Sequence, residues 1–471
     1  MPSRLFSCLI AFSIFLLISS TLSLLQFDPN SFIPTSFLEL ILVNNTYLNL
    51  ISPGPTKTPS FPYNEPILEV ATQGWNATNT NTRSTTKQCD RDNALLRVYM
   101  YDLAPEFHFG LLGWKGKYAN ETWPSLRDAK RIPSYPGGLN LQHSTEYWLT
   151  LDLLASNSGN VVRPCSVYRV QNSSEADVIF VPFFSSLSYN KRSKRRERRD
   201  DRVLQEKLVD FLQGREEWKV SGGRDHLVVA HHPNSMLFAR KKLGTSMFVL
   251  SDFGRYPHNV ANIAKDVVAP YKHMVKTIPP AASASFNQRT TLLYFQGAIY
   301  RKDGGVIRQE LYYLLKKEKD VHFSFGSVQR NGVEEAGKGM ALSKYCLNIA
   351  GDTPSSNRLF DAIATHCVPV IISDEIELPF EDVLDYSEFC VFVLAADAVK
   401  KGYLLNLLRG IKQEKWTKMW ERLKEISLHY EYQYPSQPND AVDMIWQTVS
   451  RKRTPTKLNV HRRNRYSRSQ Y

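Results

Sequence analysis

Residues Ser343–Ile372, SKYCLNIAGDTPSSNRLFDAIATHCVPVII, leave the backbone little choice. Tyr345–Ala350 is a short apolar run, and Gly351-Asp352-Thr353-Pro354 stops it, because Gly accepts positive φ and Pro fixes its own. Ser355 and Ser356 stand where a helix N-cap belongs, since a serine oxygen there accepts a hydrogen bond from a free amide of the first turn. The pattern predicts a short helix near Arg358–Thr365. Val368–Ile372, β-branched and continuous, reads as a strand buried on both faces. The segment is a parallel βαβ unit with its loop on the carboxyl side of a strand. In open α/β sheets ligands bind at that end, where a helix N-terminus offers free N–H groups and a positive dipole to an anion. Arg358 adds a guanidinium that can fork onto a phosphate. Asp361, one turn on, adds a carboxylate able to accept from ribose hydroxyls. The alternative is an ordinary i,i+3 ion pair on a solvated helix face, and the loop alone leaves both readings open.

A second loop of the same kind precedes it. Thr291–Phe295 reads as a strand, followed by Gly297, the loop Ala298–Gly305 and a helix from Val306, with Arg301, Lys302 and Arg308 clustered at the helix start. Cations there oppose the helix dipole and need another reason to be present, and a bound diphosphate is one. Upstream of a Pro-Pro linker at Thr277–Asn287, strands at Leu95–Tyr101, Val178–Phe184, Leu227–Ala230 and Met247–Leu250 alternate with helical patterns at Gln142–Leu154 and Val203–Trp218. The strand ends carry His231, His232 and Asp252, and His143 and Glu146 lie one turn apart at the head of a helix. For each the competing reading is a capping or supporting role. Further strands are expected at His322–Phe325 and Phe389–Leu394, and helices at Leu404–Tyr430 and Asp440–Val449.

With 471 residues there is room for about two to three domains. Apolar content of 42% with 22% charge is that of a globular chain. The net charge of +13 is local: Lys191–Arg202 and Arg451–Tyr471 carry all of it between them. That argues against a nucleic-acid-binding face, where positive charge would line one surface. Residues 5–25 are uncharged and mostly apolar, enough to cross a bilayer, and Arg4 precedes them with no A-x-A-like site after. A signal-anchor is expected, with everything beyond it luminal. Sequons at Asn44, Asn76, Asn120 and Asn172 agree with that placement. Besides Cys8 in the apolar run there are five cysteines, so one or two disulfides and a buried thiol are expected, with open connectivity. The expected division is a cytosolic end at 1–4, an anchor at 5–27, a Pro/Ser/Thr/Asn-rich stem at 28–90, Rossmann-like halves at 91–276 and 277–450, and a basic tail at 451–471.

The blocks RVYMYDL, ADVIFVPFFSSLS, GRDHLVVA, VLSDFGR, YFQGAIYRKDGGVIRQEL and GDTPSSNRLFDAIATHCVPVIISDEIELPFEDVLDY resemble, in order, those of the exostosin family of glycosyltransferases. The likeness runs from about Arg97 to Trp446 and is strongest to the plant branch associated with pectic arabinan synthesis. It implies a GT-B fold of two facing Rossmann-like domains, a Golgi type II membrane setting, and inverting transfer from a nucleotide sugar, a UDP-sugar, to a cell-wall polysaccharide, pectin or hemicellulose. It places donor recognition on Ser355, Ser356, Arg358 and Asp361, with Arg301, Lys302 and Arg308 on the diphosphate. At one point the chain departs: where some relatives have His-Asp after the strand at Leu227–Ala230, it has His231-His232.

Inverting transfer needs a base for the acceptor hydroxyl and a counter-charge for the leaving diphosphate. The candidate bases are His231 first, then Glu146 and Asp252. No metal or other cofactor is required, because arginines, lysine and helix termini can take the charge; Asp90-Arg91-Asp92 precedes a strand and reads as a local turn. Expected partners are the nucleotide sugar, the polysaccharide, the Golgi membrane and other copies or other glycosyltransferases, with no nucleic acid. Two rival readings differ in class. A non-catalytic Golgi scaffold or carbohydrate-binding partner would keep the cradle without turnover. A sulfotransferase would carry a 5′-phosphosulfate loop after its first strand, and LLRVYMYDLAPEF has no Gly-Ser/Thr or Lys there.

Overall fold

The computed structural model describes residues 89–116, 121–157, 161–192, 198–301, 305–326 and 331–453, all within one compact unit. The expected anchor, nearly all of the stem and tail, Asn44, Asn76, Asn120 and Lys302 lie outside the described residues. Among the described residues no helix is long and apolar enough to cross a membrane.

Two wholly parallel sheets carry the fold. The first holds β1 (Leu96–Met100), β2 (Val167–Val170), β3 (Val178–Val181), β4 (His226–Val229), β5 (Met247–Leu250) and β6 (Val267–Val268), in the order β2-β1-β3-β4-β5-β6. Central β3, β4 and β5 are buried along their whole length, which is why VIFV, HLVV and MFVL read as continuous runs without alternation. The second holds β7 (Thr291–Gly297), β8 (Val321–Phe325), β9 (Ser343–Ile349), β10 (Val368–Ile372) and β11 (Val391–Phe392), in the order β11-β10-β9-β7-β8. Leu293 and Val368 both pair with Tyr345, one from each side. The helices are α1 (Thr145–Ala155), α2 (Ser185–Arg192), α3 (Arg198–Gly214), α4 (Glu216–Ser221), α5 (Val306–Leu315), α6 (Gly332–Ala341), α7 (Asn357–Ala364), α8 (Ala395–Ala398), α9 (Tyr403–Gly410), α10 (Gln413–Ile426) and α11 at 441–453.

The expected elements are present, with four differences of physical interest. The single helix expected over Val203–Trp218 is two, because Arg215 is extended after Gly214. The long helix over Leu404–Tyr430 breaks at Ile411 and Lys412, both extended. The strand expected to reach Phe184 ends at Val181: Pro182 follows, with no N–H to extend the ladder, and the serine-rich α2 begins three residues later. Helix α6, GVEEAGKGMA, has poor intrinsic propensity, but its Gly339 is required by packing, since a Cβ there would lie 2.3 Å from Tyr294 Cε2.

Helix α11 follows the second half in sequence and packs on the first. Trp446 is fully buried, with its ring edge-on to Phe180 of β3 at 5.9 Å, and Ser166 donates to Asp443. Disulfides join Cys89 to Cys165 and Cys346 to Cys367, and Cys390 is the buried thiol. The segment leading into the linker is fixed from both sides. Asp361 of α7 accepts from the amides of Met274 (2.7 Å) and Val275 (3.3 Å), while Glu431 after α10 pairs with His273 at 2.8 Å and Lys272 at 3.4 Å.

Candidate active site

Topology sets the place. From β7 the chain crosses to β8 on one side and then back to β9 on the other, and right-handed crossovers put α5 and α7 on opposite faces of the sheet. The loops after β7 and β9 therefore diverge and open a crevice at the carboxyl ends of these strands, the switch point where α/β sheets bind ligands.

Three arginines converge on this crevice, and beside each stands a glycine. A Cβ on Gly297 would lie 2.0 Å from Arg358 Nη2, one on Gly351 2.8 Å from Arg308 Nη2, and one on Gly305 2.0 Å from Arg301 Cβ. These glycines serve space, not φ. Arg358 Nε donates to the Gln296 carbonyl at 3.0 Å and Nη1 to Ser356 Oγ at 3.2 Å. Arg308 is 3% exposed and spends Nε, Nη1 and Nη2 on the carbonyls of Ala350, Ala298 and Ile349, at 2.9, 3.1 and 2.6 Å. It staples the two loops together, so the direct diphosphate contact expected of it is corrected to a supporting one. Arg301, with the more accessible side chain, pairs with Asp352 at 3.1 Å. Burial first, then the Arg358 and Arg301 charges, push the Arg308 guanidinium down to about 8; burial pushes Arg358 down to about 10.

The alternative reading, a solvated Arg358–Asp361 ion pair, is not what forms. Asp361 is buried, accepting from the Met274 and Val275 amides and from Asn357 Nδ2 at 2.9 Å. That occupancy also corrects the expectation of a ribose contact. Ser356 caps α7, accepting from the Arg358 amide at 3.4 Å. Ser355 turns the other way and donates to Asp252 Oδ2 across the cleft at 2.7 Å, with the Tyr271 hydroxyl 3.0 Å from the same Oγ. Asp252 also accepts from the Gly254 amide at 3.0 Å, and burial raises its carboxyl above the ordinary range. Around this contact the halves touch closely: Arg255 donates to the Asp352 carbonyl at 3.2 Å, and a Cβ on Gly254 would lie 2.4 Å from Pro354 Cδ. Tyr271 was not anticipated. It stands alone in sequence after β6, with no local pattern to mark it.

The other two expected bases are engaged elsewhere. His231 is fully buried, and its Nε2 lies 3.1 Å from the Ala269 carbonyl, which can only accept, so Nε2 carries the proton. Its Nδ1 then accepts from His143 Nδ1 at 2.9 Å. Burial drives His231 down to about 4 and His143 well below its ordinary value, which keeps both neutral. With both nitrogens occupied and no exposure, His231 is a structural imidazole, correcting its place as first candidate. Glu146 is also buried: it accepts from the Ser186 and Leu187 amides at 3.3 and 3.0 Å and from the Tyr135 hydroxyl at 3.1 Å. It caps α2 from another helix, and burial pushes it up to about 8. The first half thus fills its own helix N-terminus with the Glu146 carboxyl group, whereas α7 in the second half has only a serine cap. This asymmetry tells an anion-receiving half from its partner.

Asp90 accepts from the amides of Asp92 and Asn93, both at 2.9 Å, the local turn expected of Asp-Arg-Asp. Asn172 stands on an exposed turn, capping Ser174 at 3.0 Å. Two facing parallel sheets with a cationic switch-point crevice in one define an α/β enzyme that handles an anionic group. The model for the exostosin GT47 domain matches residues 92–408, and the chain belongs to the exostosin GT47 family; it is a glycosyltransferase. It is 40% identical to a probable arabinosyltransferase ARAD1 of Arabidopsis thaliana over 375 residues, 79% of this chain and 81% of that protein, which supports the arabinan-associated branch. It is 24% identical to a probable beta-1,4-xylosyltransferase IRX10L of the same plant, covering 70% and 80% of the two chains. With a probable glucuronosyltransferase GUT1 of Oryza sativa subsp. japonica the identity is 22%, over 76% and 81%.

Proposed function

We propose that the protein is a GT-B-type, inverting glycosyltransferase that takes a sugar from a UDP-sugar and places it on a plant cell-wall polysaccharide, with pectic arabinan side chains as the favoured acceptor. Its setting in this reading is the Golgi membrane, with the described residues luminal. The observation that carries the reading is the trio Arg301, Arg308 and Arg358, seated against glycines in a switch-point crevice. Arg308 is held below its ordinary value by burial and by like charge, and a diphosphate beside it supplies the missing counter-charge. Arg301, Arg358 and the α7 amides beside Ser355 and Ser356 take the diphosphate oxygens, with Lys302 a further cation of the same loop.

Asp252 is the base in this reading. Of the three candidates it alone reaches from the first half to the cradle. The acceptor hydroxyl gives its proton to Asp252 as its oxygen bonds to the anomeric carbon. The carbon–oxygen bond to the diphosphate breaks from the opposite face, and its electron pair leaves on the nucleotide, where the arginines hold the charge. For Asp252 to act, Ser355 must release it, and donor phosphate competing for Ser355 is the natural trigger. The resemblance to an arabinosyltransferase supports a pentose donor. Purified full-length protein offered UDP-arabinose, UDP-xylose, UDP-galactose and UDP-glucuronic acid should release UDP from one of them in the presence of arabinan. Asp252→Asn should abolish release and keep UDP binding. Full turnover by that variant would remove Asp252 from the chemistry, and absence of turnover with all four donors would favour the scaffold reading.

A further inference from the structure

Beyond Arg301 the crevice has an aromatic rim. Tyr300 immediately precedes Arg301, Phe325 ends β8, and Tyr312 and Tyr313 lie on α5. Their rings form a continuous strip: Tyr300 to Phe325 at 5.7 Å, Phe325 to Tyr312 at 5.7 Å, and Tyr312 to Tyr313 at 5.3 Å. The Tyr300 and Tyr313 hydroxyls are 3.0 Å apart, so the two ends of the strip meet. Phe325 is 49% exposed and Tyr313 38%. Exposed large rings are common singly; gathered beside a catalytic crevice they mark a contact surface.

We propose that this strip is a glycan-binding subsite that holds the acceptor chain where it leaves the crevice; it rests on the reading that the crevice holds the donor. The occupant follows from three features. The negative ring faces attract the polarised C–H bonds of a sugar ring, so rigid tyrosines and phenylalanines suit the flat face of a saccharide. The mutual tilts of 39° and 64° between neighbouring rings leave no parallel slot for a nucleobase. Lys316 lies over Tyr312 and Tyr313, 4.8 and 4.5 Å from their centroids, and Lys317 is exposed beside it, whereas the core of a protein–protein interface is depleted in lysine.

The test is affinity gel electrophoresis of the full-length protein through arabinan, galactan and xylan, with UDP binding titrated in parallel. At least one polysaccharide should retard the wild type. Tyr313→Ala/Phe325→Ala should weaken that retardation tenfold or more while UDP affinity stays within twofold, and Tyr313→Phe should keep it. If the double variant fails to fold, as read by circular dichroism, Phe325→Lys alone carries the comparison. Unchanged retardation, no retardation of the wild type, a parallel loss of UDP affinity, or a change of oligomeric state with glycan binding intact would each overturn the proposal. Loss of retardation in the variant supports the strip even where the wild type binds no UDP, so the two readings fail separately.

Discussion

Arg308 and Arg358 differ by what each leaves behind when removed. Arg308→Met strands three buried carbonyls, at roughly 1–3 kcal/mol for each unsatisfied group, so it should lower stability by about 3 kcal/mol or more. Chemical denaturation with and without UDP checks this, and an unchanged midpoint would show that Arg308 is no staple. Gly297→Ala acts on the ligand instead. Its methyl needs the space Arg358 fills, so the guanidinium must move and UDP affinity should fall about tenfold, roughly 1.4 kcal/mol. Calorimetric titration reads that change, and wild-type affinity would mean that Arg358 does not meet the nucleotide.

At the scale of elements, the βαβ unit was legible because its signals are local: turn residues, a serine cap and a continuous β-branched strand all fall where the structure has them. The anion crevice was legible for a related reason, since glycine and arginine at strand ends can be counted along the chain. Side-chain direction was not. His231 ends a strand as a base might, yet its ring turns inward to Ala269 and His143; Asp361 lies one turn from Arg358, yet it reaches back to the Met274 amide. Such outcomes depend on partners 38 to 88 residues away, which no periodicity records. The Cys346–Cys367 pairing was open for the same reason. The bridge closes a loop of 21 residues that contains Ser355, Ser356 and Arg358, so Cys346→Ala/Cys367→Ala should cost about 3 kcal/mol of stability. The loss should appear in the unfolding midpoint under non-reducing conditions, and a variant as stable as wild type would show that packing alone holds β9 to β10.

At the scale of the whole molecule, buried titrating groups set how stability depends on pH. His108, His231, His232 and His366 are each pushed by burial to about 4, below the ordinary value of 6.5. An unfolded chain protonates these imidazoles as pH falls through 6.5 and the folded one does not, so the stability they contribute is full above 6.5 and is lost as pH falls toward 4. Glu146, raised to about 8, and Asp440, raised to about 7, act in the opposite sense. The folded chain holds their protons where the unfolded chain has released them, so their contribution is full below about 4.5 and is lost as pH rises through 7 to 8. Between about pH 6.5 and 5 the unfolded state gains protons on these four imidazoles and on His143, also held low by burial, while the folded state keeps its two carboxyl protons, so the imidazoles prevail and stability falls with acidification. Between about pH 7 and 8 the carboxyl effect of Glu146 and Asp440 prevails and stability declines again, less steeply, until the Arg308 guanidinium, held down to about 8, begins to act in the opposite sense. The unfolding midpoint in denaturant should therefore peak near neutral pH, drop markedly by about pH 5 and drop modestly by about pH 8. Glu146→Gln should flatten the alkaline limb and leave the acid limb in place, because the amide oxygen can still accept from Ser186 and Leu187 and has no proton to lose. A midpoint that keeps rising down to about pH 5, or an alkaline limb unchanged in Glu146→Gln, would show that these buried groups do not govern the balance.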